Sequence, residues 1–272
     1  MSIRFTILAS GSTGNAMVVD SGEARLLVDA GFSGRKLEQL LQQRGLSCEQ
    51  LDGLLITHEH ADHVKGAGVL ARKHGLQIYA NEKTWQAMEK QIGEVKEEQR
   101  KYIVTGEKLD FGSMTVDTFP LSHDAADPIG YSFYDGDCKV SIVTDTGYVS
   151  PAIKEKIRES DVIILEANHD IDMLRAGHYP WNVKRRILSD VGHLSNHDAG
   201  EVLFDLIHER TQRVYLAHLS RDHNLQELAS LTVQQVVEEM GISLQERNIR
   251  LMNTYYDRPT EWDHAGRKEV PV

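Results

Sequence analysis

The sequence predicts a layered α/β domain in which helices cover sheets, and three observations carry the prediction. Short apolar runs alternate with helical patterns from end to end of the 272 residues. Strand signals crowd the first half, and their alternation with helices becomes more regular later, as a sheet-and-helix layering requires. No Gly/Ser-rich or Pro-rich stretch divides the chain and no internal repeat occurs, so residues 1–272 read as a single domain.

Taken in order, strands are expected at residues 4–9, 16–20, 25–29, 53–57, 77–80, 114–120, 130–134, 139–144, 162–166 and 213–217. Each is a short apolar run between helical or turn-like stretches. The segment Asp135-Gly136-Asp137 between two of them reads as a hairpin turn. Helices carry start and stop signals. Ser33 can cap a helix with Leu37, Leu40 and Leu41 on one face and Gly45 just past its end. A helix over 62–74 stops at Gly75 in the same way, and others are expected over 83–91, 151–159, 182–189, 197–209 and 225–240.

Composition excludes several classes. About 40% of residues are hydrophobic and 26% charged, which is globular and not disordered. No apolar run reaches the ~18 residues that a membrane helix needs. The start, Met1 to Ser10, turns polar too soon for a secretory signal. Cys48 and Cys138 are too few and too distant for a disulfide framework and read as buried small side chains in a reducing cytosol, so a cytoplasmic location is expected. The 13 histidines are more than this length usually carries, and they are unevenly spread.

The most informative segment is Leu54-Leu55-Ile56-Thr57-His58-Glu59-His60-Ala61-Asp62-His63. A buried strand runs out at Thr57 and metal-ligand side chains follow at once. Residues two apart in extended chain point to the same side, so His58 and His60 can share one ion. Asp62 and His63 sit where a helix begins and can turn toward a second. Packed imidazoles need partners for both ring nitrogens, and a metal supplies them.

His-x-His-x-Asp-His after an apolar strand resembles the signature of the metallo-β-lactamase-fold hydrolases. The rest of that pattern follows in order: His123 in Leu121-Ser122-His123-Asp124, Asp145 in Ile142-Val143-Thr144-Asp145-Thr146-Gly147, and His218 in Tyr215-Leu216-Ala217-His218-Leu219-Ser220. The resemblance covers residues ~4 to ~220. It implies an αββα sandwich of two mixed sheets flanked by helices, and two divalent ions, Zn²⁺ or Mn²⁺. By resemblance His58, His60 and His123 would hold one ion. Asp62, also counted in the catalytic set, His63 and His218 would hold the other, and Asp145 would bridge them. Two such ions lower the pKa of a shared water from ~15.7 towards 7, so that a metal-bound hydroxide serves as nucleophile.

Three further segments point to phosphodiesters. Ser10-Gly11-Ser12-Thr13-Gly14-Asn15 resembles the opening of the exonuclease branch called YycJ or WalJ, and its Ser10, Ser12 and Asn15 can hold an anion. Leu165-Glu166-Ala167-Asn168 and Gly192-His193-Leu194-Ser195-Asn196 resemble elements of the tRNA 3′-processing nucleases of this fold, in which a glutamate orients a histidine that protonates the leaving oxygen. Carried over, Glu166 and His193 take those roles, and Asn196 joins the substrate contacts. Gly177-His178-Tyr179-Pro180-Trp181-Asn182-Val183-Lys184-Arg185-Arg186 sets an aromatic, Tyr179, beside the cations Lys184, Arg185 and Arg186, which suits bases and phosphates. His169 and His178 flank the same groove. The branch implies a 5′ to 3′ DNA exonuclease.

Net charge is −11, from 30 basic and 41 acidic side chains, so contacts with nucleic acid are expected to be local, salt-sensitive and sequence-independent. A glyoxalase-type thioester hydrolase and an RNA-processing nuclease of the same fold also fit the ligand set. No membrane is expected as a partner, and no protein partner is written in the residues.

Overall fold

The computed structural model, which describes residues 2–266, lays two seven-stranded mixed sheets face to face. The first runs β14 (Asp263–Ala265), β1 (Ile3–Ala9), β2 (Ala16–Asp20), β3 (Arg25–Val28), β4 (Gly53–Leu55), β5 (Ile78–Ala80), β6 (Arg100–Tyr102). The second runs β13 (Arg250–Asn253), β12 (Arg213–Ala217), β11 (Val162–Glu166), β10 (Cys138–Val143), β9 (Ile129–Asp135), β8 (Met114–Pro120), β7 (Lys108–Phe111). In each sheet one half is antiparallel and the other parallel.

The strands read as unbroken apolar runs because both faces are covered. Alternate residues of one strand divide between two cores. Phe5, Leu26, Val28, Ile164 and Tyr215 point into the space between the sheets with Tyr131, Phe133 and Val140. Leu8 and Leu27 point outward, under α1 (Gly34–Gln42), α3 (Ala67–His74) and α4 (Glu82–Ile92), through Leu37, Leu40, Leu41, Leu70 and Trp85. Ile163, Leu165, Val214 and Leu216 lie outward on the second sheet, under α5 (Pro151–Ile157), α8 (Asn196–Leu206) and α9 (Gln226–Glu239). The αββα expectation holds.

Local signals behave as read at several points. The Ser33 hydroxyl accepts from the Lys36 amide, and Gly45 takes φ 71°. Asp135 pairs with Cys138 across a tight turn in which Gly136 takes φ 58°. Cys48 and Cys138 are buried.

Three expectations need correction. The helix expected over 62–74 is two, α2 (Ala61–Val64) and α3, because Gly66 turns back so that its amide meets the Ala30 carbonyl at 2.8 Å. A further helical segment was not foreseen, α6 (Ile171–Ala176), capped by Asp170, whose carboxylate accepts from the Met173 amide at 2.8 Å. Strands β6, β7, β13 and β14 were also missed. They close the sheet edges with partly exposed, polar residues, so no apolar run marks them. No helix among the described residues is long and apolar enough to cross a membrane.

Candidate metal centre

The rim where the parallel strands end gathers every expected ligand. Asp29 follows β3 and His58 lies just beyond β4, on the first sheet. His123, Asp145, Glu166 and His218 stand at the ends of β8, β10, β11 and β12, on the second. Asp29, Asp145 and His218 take φ values of 57°, 60° and 55°. That left-handed region is costly for a side-chain-bearing residue, and strain of this kind collects at functional sites.

Hydrogen bonds fix the tautomer of each imidazole. Thr57 donates its hydroxyl to Asp29 Oδ2 at 2.9 Å, so it accepts from His58 Nδ1–H at 3.0 Å and leaves the His58 Nε2 lone pair bare. His63 Nδ1–H donates to the same oxygen, Asp29 Oδ2, at 2.8 Å. His123 Nδ1–H donates to the Gly192 carbonyl at 3.0 Å, which turns its Nε2 to within 3.3 Å of His60 Nδ1. His218 Nδ1–H donates to Glu166 Oε1 at 2.9 Å. Such partners on the far nitrogen orient metal-binding histidines and set which nitrogen is free.

Two clusters of candidate ligand atoms result, with the Asn15 side-chain amide donating to His63 Nε2 at 3.1 Å. His58, His60 and His123 form one. Asp62, His63 and His218 form the other, with Asp62 Oδ2 3.5 Å from Nε2 of both histidines. Asp145 lies between them: its Oδ2 is 3.3 Å from His63 Nε2, and its Oδ1 is 3.8 Å from His123 Nε2. Buried His58 Nε2, His218 Nε2 and Asp145 Oδ2 have no hydrogen-bond partner. Polar atoms hidden without partners are rare, and here they converge, so the donor set fits two divalent ions.

The electrostatics agree. Burial and the surrounding imidazoles hold the His58 pKa well below its ordinary value, which keeps it a neutral ligand. Burial also disfavours charge on His63 and His218, but Asp145 and the other buried carboxylates outweigh it. They raise His63 well above the ordinary range and His218 to about 10. A site that draws positive charge this strongly can be answered by protons or by dications.

Glu166 joins the two halves of the expected catalytic set. Its Oε1 lies 2.7 Å from His193 Nδ1 as well as 2.9 Å from His218 Nδ1, while Oε2 accepts the Thr146 amide at 2.8 Å. Burial opposes a charged His193, but Glu166 more than offsets it and raises its pKa. The imidazole faces a groove of about 380 Å³ lined also by Ser12, Asp62, Asn168, Tyr179, Arg186 and Ser220.

The other expected contacts divide. Ser12, Tyr179 and Arg186 line the groove, with Arg186 paired to Asp124 at 2.8 Å. Ser10 and Asn15 are buried beneath it: the Ser10 hydroxyl accepts the His218 amide at 2.8 Å and donates to Asn15 Oδ1 at 3.3 Å. Lys184 does not reach a substrate, because its buried ammonium donates to the carbonyls of Arg175 and Gly177 at 2.7 and 2.6 Å. Asn196 is likewise spent, exchanging two amide hydrogen bonds with Asn224. Arg185 is exposed and outside the groove lining. His169 is buried away from the groove lining, and His178 packs on Tyr179. Asp29, Thr57, Asn168 and the Gly192 carbonyl were not foreseen. Only Asp29, at a strand end, had a sequence signal.

Residues 24–219 match the model of the beta-lactamase superfamily domain. The exodeoxyribonuclease YycJ of Bacillus anthracis is 50% identical over 90% of this chain and 93% of its own length. The exodeoxyribonuclease WalJ of Streptococcus pneumoniae D39 is 47% identical over 85% and 86%. Among solved structures, the metallo-beta-lactamase fold protein YhfI of Bacillus subtilis superposes with a TM-score of 0.72 at 18% identity, covering 96% of this chain and 99% of that one, which speaks to the fold alone. With identity of this depth over nearly the whole length, the chain belongs to the beta-lactamase superfamily, in the branch that holds the exodeoxyribonucleases YycJ and WalJ.

Proposed function

We propose that residues 1–272 form one catalytic domain, a dinuclear-metal phosphodiesterase that degrades DNA as an exonuclease, 5′ to 3′ as its branch implies. The observation that carries this reading is the pair of hydrogen bonds that Glu166 Oε1 accepts from His193 and His218, which couples a ligand cluster to a proton donor at the groove. A thioester hydrolase has no need of that donor, since a thiolate leaves without protonation.

The two divalent ions, Zn²⁺ or Mn²⁺, would supply an activated water at neutral pH and neutralise charge on the phosphate. The chain's residues do the rest. Ser12 and Arg186 stand on the groove wall where a phosphate can be held, and Tyr179 offers a ring to a base. Charged His193 donates Nδ1–H to Glu166 and carries its second proton on Nε2, from which a departing sugar oxygen can take it. Glu166 holds that imidazole in place and favours its charged form. Sequence independence follows from contacts made to phosphate and ring face rather than to base edges.

The deciding experiment offers protein reconstituted with Zn²⁺ or Mn²⁺ end-labelled single- and double-stranded DNA and RNA, and separately S-lactoylglutathione. Stepwise release of mononucleotides from DNA is expected. Turnover of the thioester with nucleic acid left intact would overturn the reading, and faster cleavage of RNA would move it to RNA processing.

A further inference from the structure

Beyond the groove lies a strip of aromatic rings and unpaired cations that the catalytic assignment does not use. Ser12 and Ser220 form part of the groove wall, and the strip begins at their chain neighbours. Arg221 sets its guanidinium 5.2 Å from the ring centre of Tyr256, and Arg258 sits 4.0 Å over Tyr255. The loop that carries these tyrosines is fastened to the groove. The Ser10 amide donates to the Tyr255 carbonyl at 2.8 Å, and a methyl group on Gly11 would lie only 3.4 Å from Tyr256 Cβ. Lys36 steadies the loop from the other side, through the Asp257 carbonyl at 3.1 Å.

In a chain of net charge −11, Arg4, Arg25, Arg44, Arg100, Arg186 and Arg213 each pair with a carboxylate. Among the described residues neither Arg221 nor Arg258 makes an ion pair or hydrogen bond; each only stacks on a ring. Tyr256 is 47% exposed. Rings stacked by cations that no carboxylate pairs, tethered to the groove wall through Ser220–Arg221 and Gly11, match what a flexible polyanion with flat bases requires, since any base can stack and any phosphate can pair.

We propose that Arg221, Tyr256, Arg258 and Tyr255 form a track for single-stranded DNA, which carries nucleotides beyond the one being cleaved. The proposal rests on the nuclease reading. It adds residues 221–258 to the phosphate contact at Arg186, and leaves Lys184 and Arg185 outside the substrate path.

The test compares the wild type with Arg221→Ala/Arg258→Ala, Tyr256→Ala and Tyr256→Phe, all metal-loaded. Binding of a fluorescent, phosphorothioate-protected oligothymidylate is followed by anisotropy across salt concentrations. Cleavage of an oligonucleotide is compared with that of bis(p-nitrophenyl) phosphate, which is too small to reach the strip. The double arginine variant should flatten the salt dependence by about 1.4 in log–log slope, for two phosphates at ~0.7 each. Tyr256→Ala should lower the oligonucleotide-to-ester ratio of kcat/KM by about tenfold through KM, and Tyr256→Phe should restore it. Unchanged salt slope and unchanged ratio in a wild type that does cut DNA would overturn the track alone. A wild type that hydrolyses the ester but neither binds nor cuts the oligonucleotide would overturn the nuclease reading, and the track with it.

Discussion

His193 and His218 share one carboxylate, so the consequences of losing that carboxylate differ from those of losing either ring. His193→Ala removes a proton donor but no ligand. Turnover of DNA should fall about 10²–10⁴-fold while metal content by elemental analysis stays unchanged. A nitrophenyl phosphodiester, whose leaving group needs little protonation, should suffer much less; equal losses on both substrates would leave His193 with a phosphate-holding role only. Glu166→Gln is expected to do more. It withdraws the charge that raises the His193 pKa, and its NH2 must face either the two imidazole N–H groups or the Thr146 amide, so metal content should fall together with turnover, about tenfold or more in affinity. Full metal occupancy in that variant would show that Glu166 serves His193 alone. The ligands themselves were legible in the sequence because His58, His123, Asp145 and His218 stand within three residues of an apolar strand's end, in a fixed order, and His60, Asp62 and His63 follow His58 in one short motif. Asp29 and Thr57 were not legible as partners of His58 and His63, because their hydrogen bonds depend on how strand ends meet in space.

Among the elements, the turn after β3 shows how closely backbones approach under the site. A methyl group on Gly31 would lie 1.7 Å from the Asp62 carbonyl oxygen, where the Asn15 amide already donates to that oxygen at 2.9 Å. Gly31→Ala must therefore push α2 away, and Asp62 and His63 with it. A stability loss of about 3 kcal/mol is expected in urea denaturation, with weakened metal binding. Wild-type values of both would mean that α2 yields at no cost. The interior strands could be read because they are apolar on both faces. The edge strands β6, β7, β13 and β14 could not, because half-exposed polar residues form strands only where a neighbour offers its hydrogen bonds. The break between α2 and α3 escaped for a similar reason: Gly66 in a helical pattern looks tolerable until Ala30 is seen to claim its amide.

At the scale of the whole molecule, the excess of acidic groups makes the acid limb of stability informative. Asp20 is buried and bridges Arg4 and Arg25, each at 2.7 Å. Burial opposes its charge, but the Gly22 amide and the two guanidinium groups prevail and hold its pKa below the ordinary 3.8. A depressed folded pKa means stability that is fully present above the unfolded value and lost as pH falls through the folded one. Asp20→Ala should cost about 3 kcal/mol at neutral pH, by stranding two cations, and the difference from wild type should shrink as pH falls below the ordinary 3.8 and Asp20 takes up a proton. A difference that persists into acid would assign the loss to packing instead.

The ligand-bearing loops hang from both sheets, His58 and His63 from one and His123, Asp145 and His218 from the other. Whatever cation these loops share is thus also a clasp closing one mouth of the sandwich. Chelation should unfasten that mouth and leave the opposite ends of the same strands shut, since their apolar packing does not involve the clasp. In hydrogen–deuterium exchange, amides around residues 57–63 and 144–147 should lose protection on chelation. Those at the starts of β4 and β10 should keep it. Uniform acceleration along both strands would instead make the cation a condition of folding, and a catalyst that can be emptied and refilled would become one assembled only once.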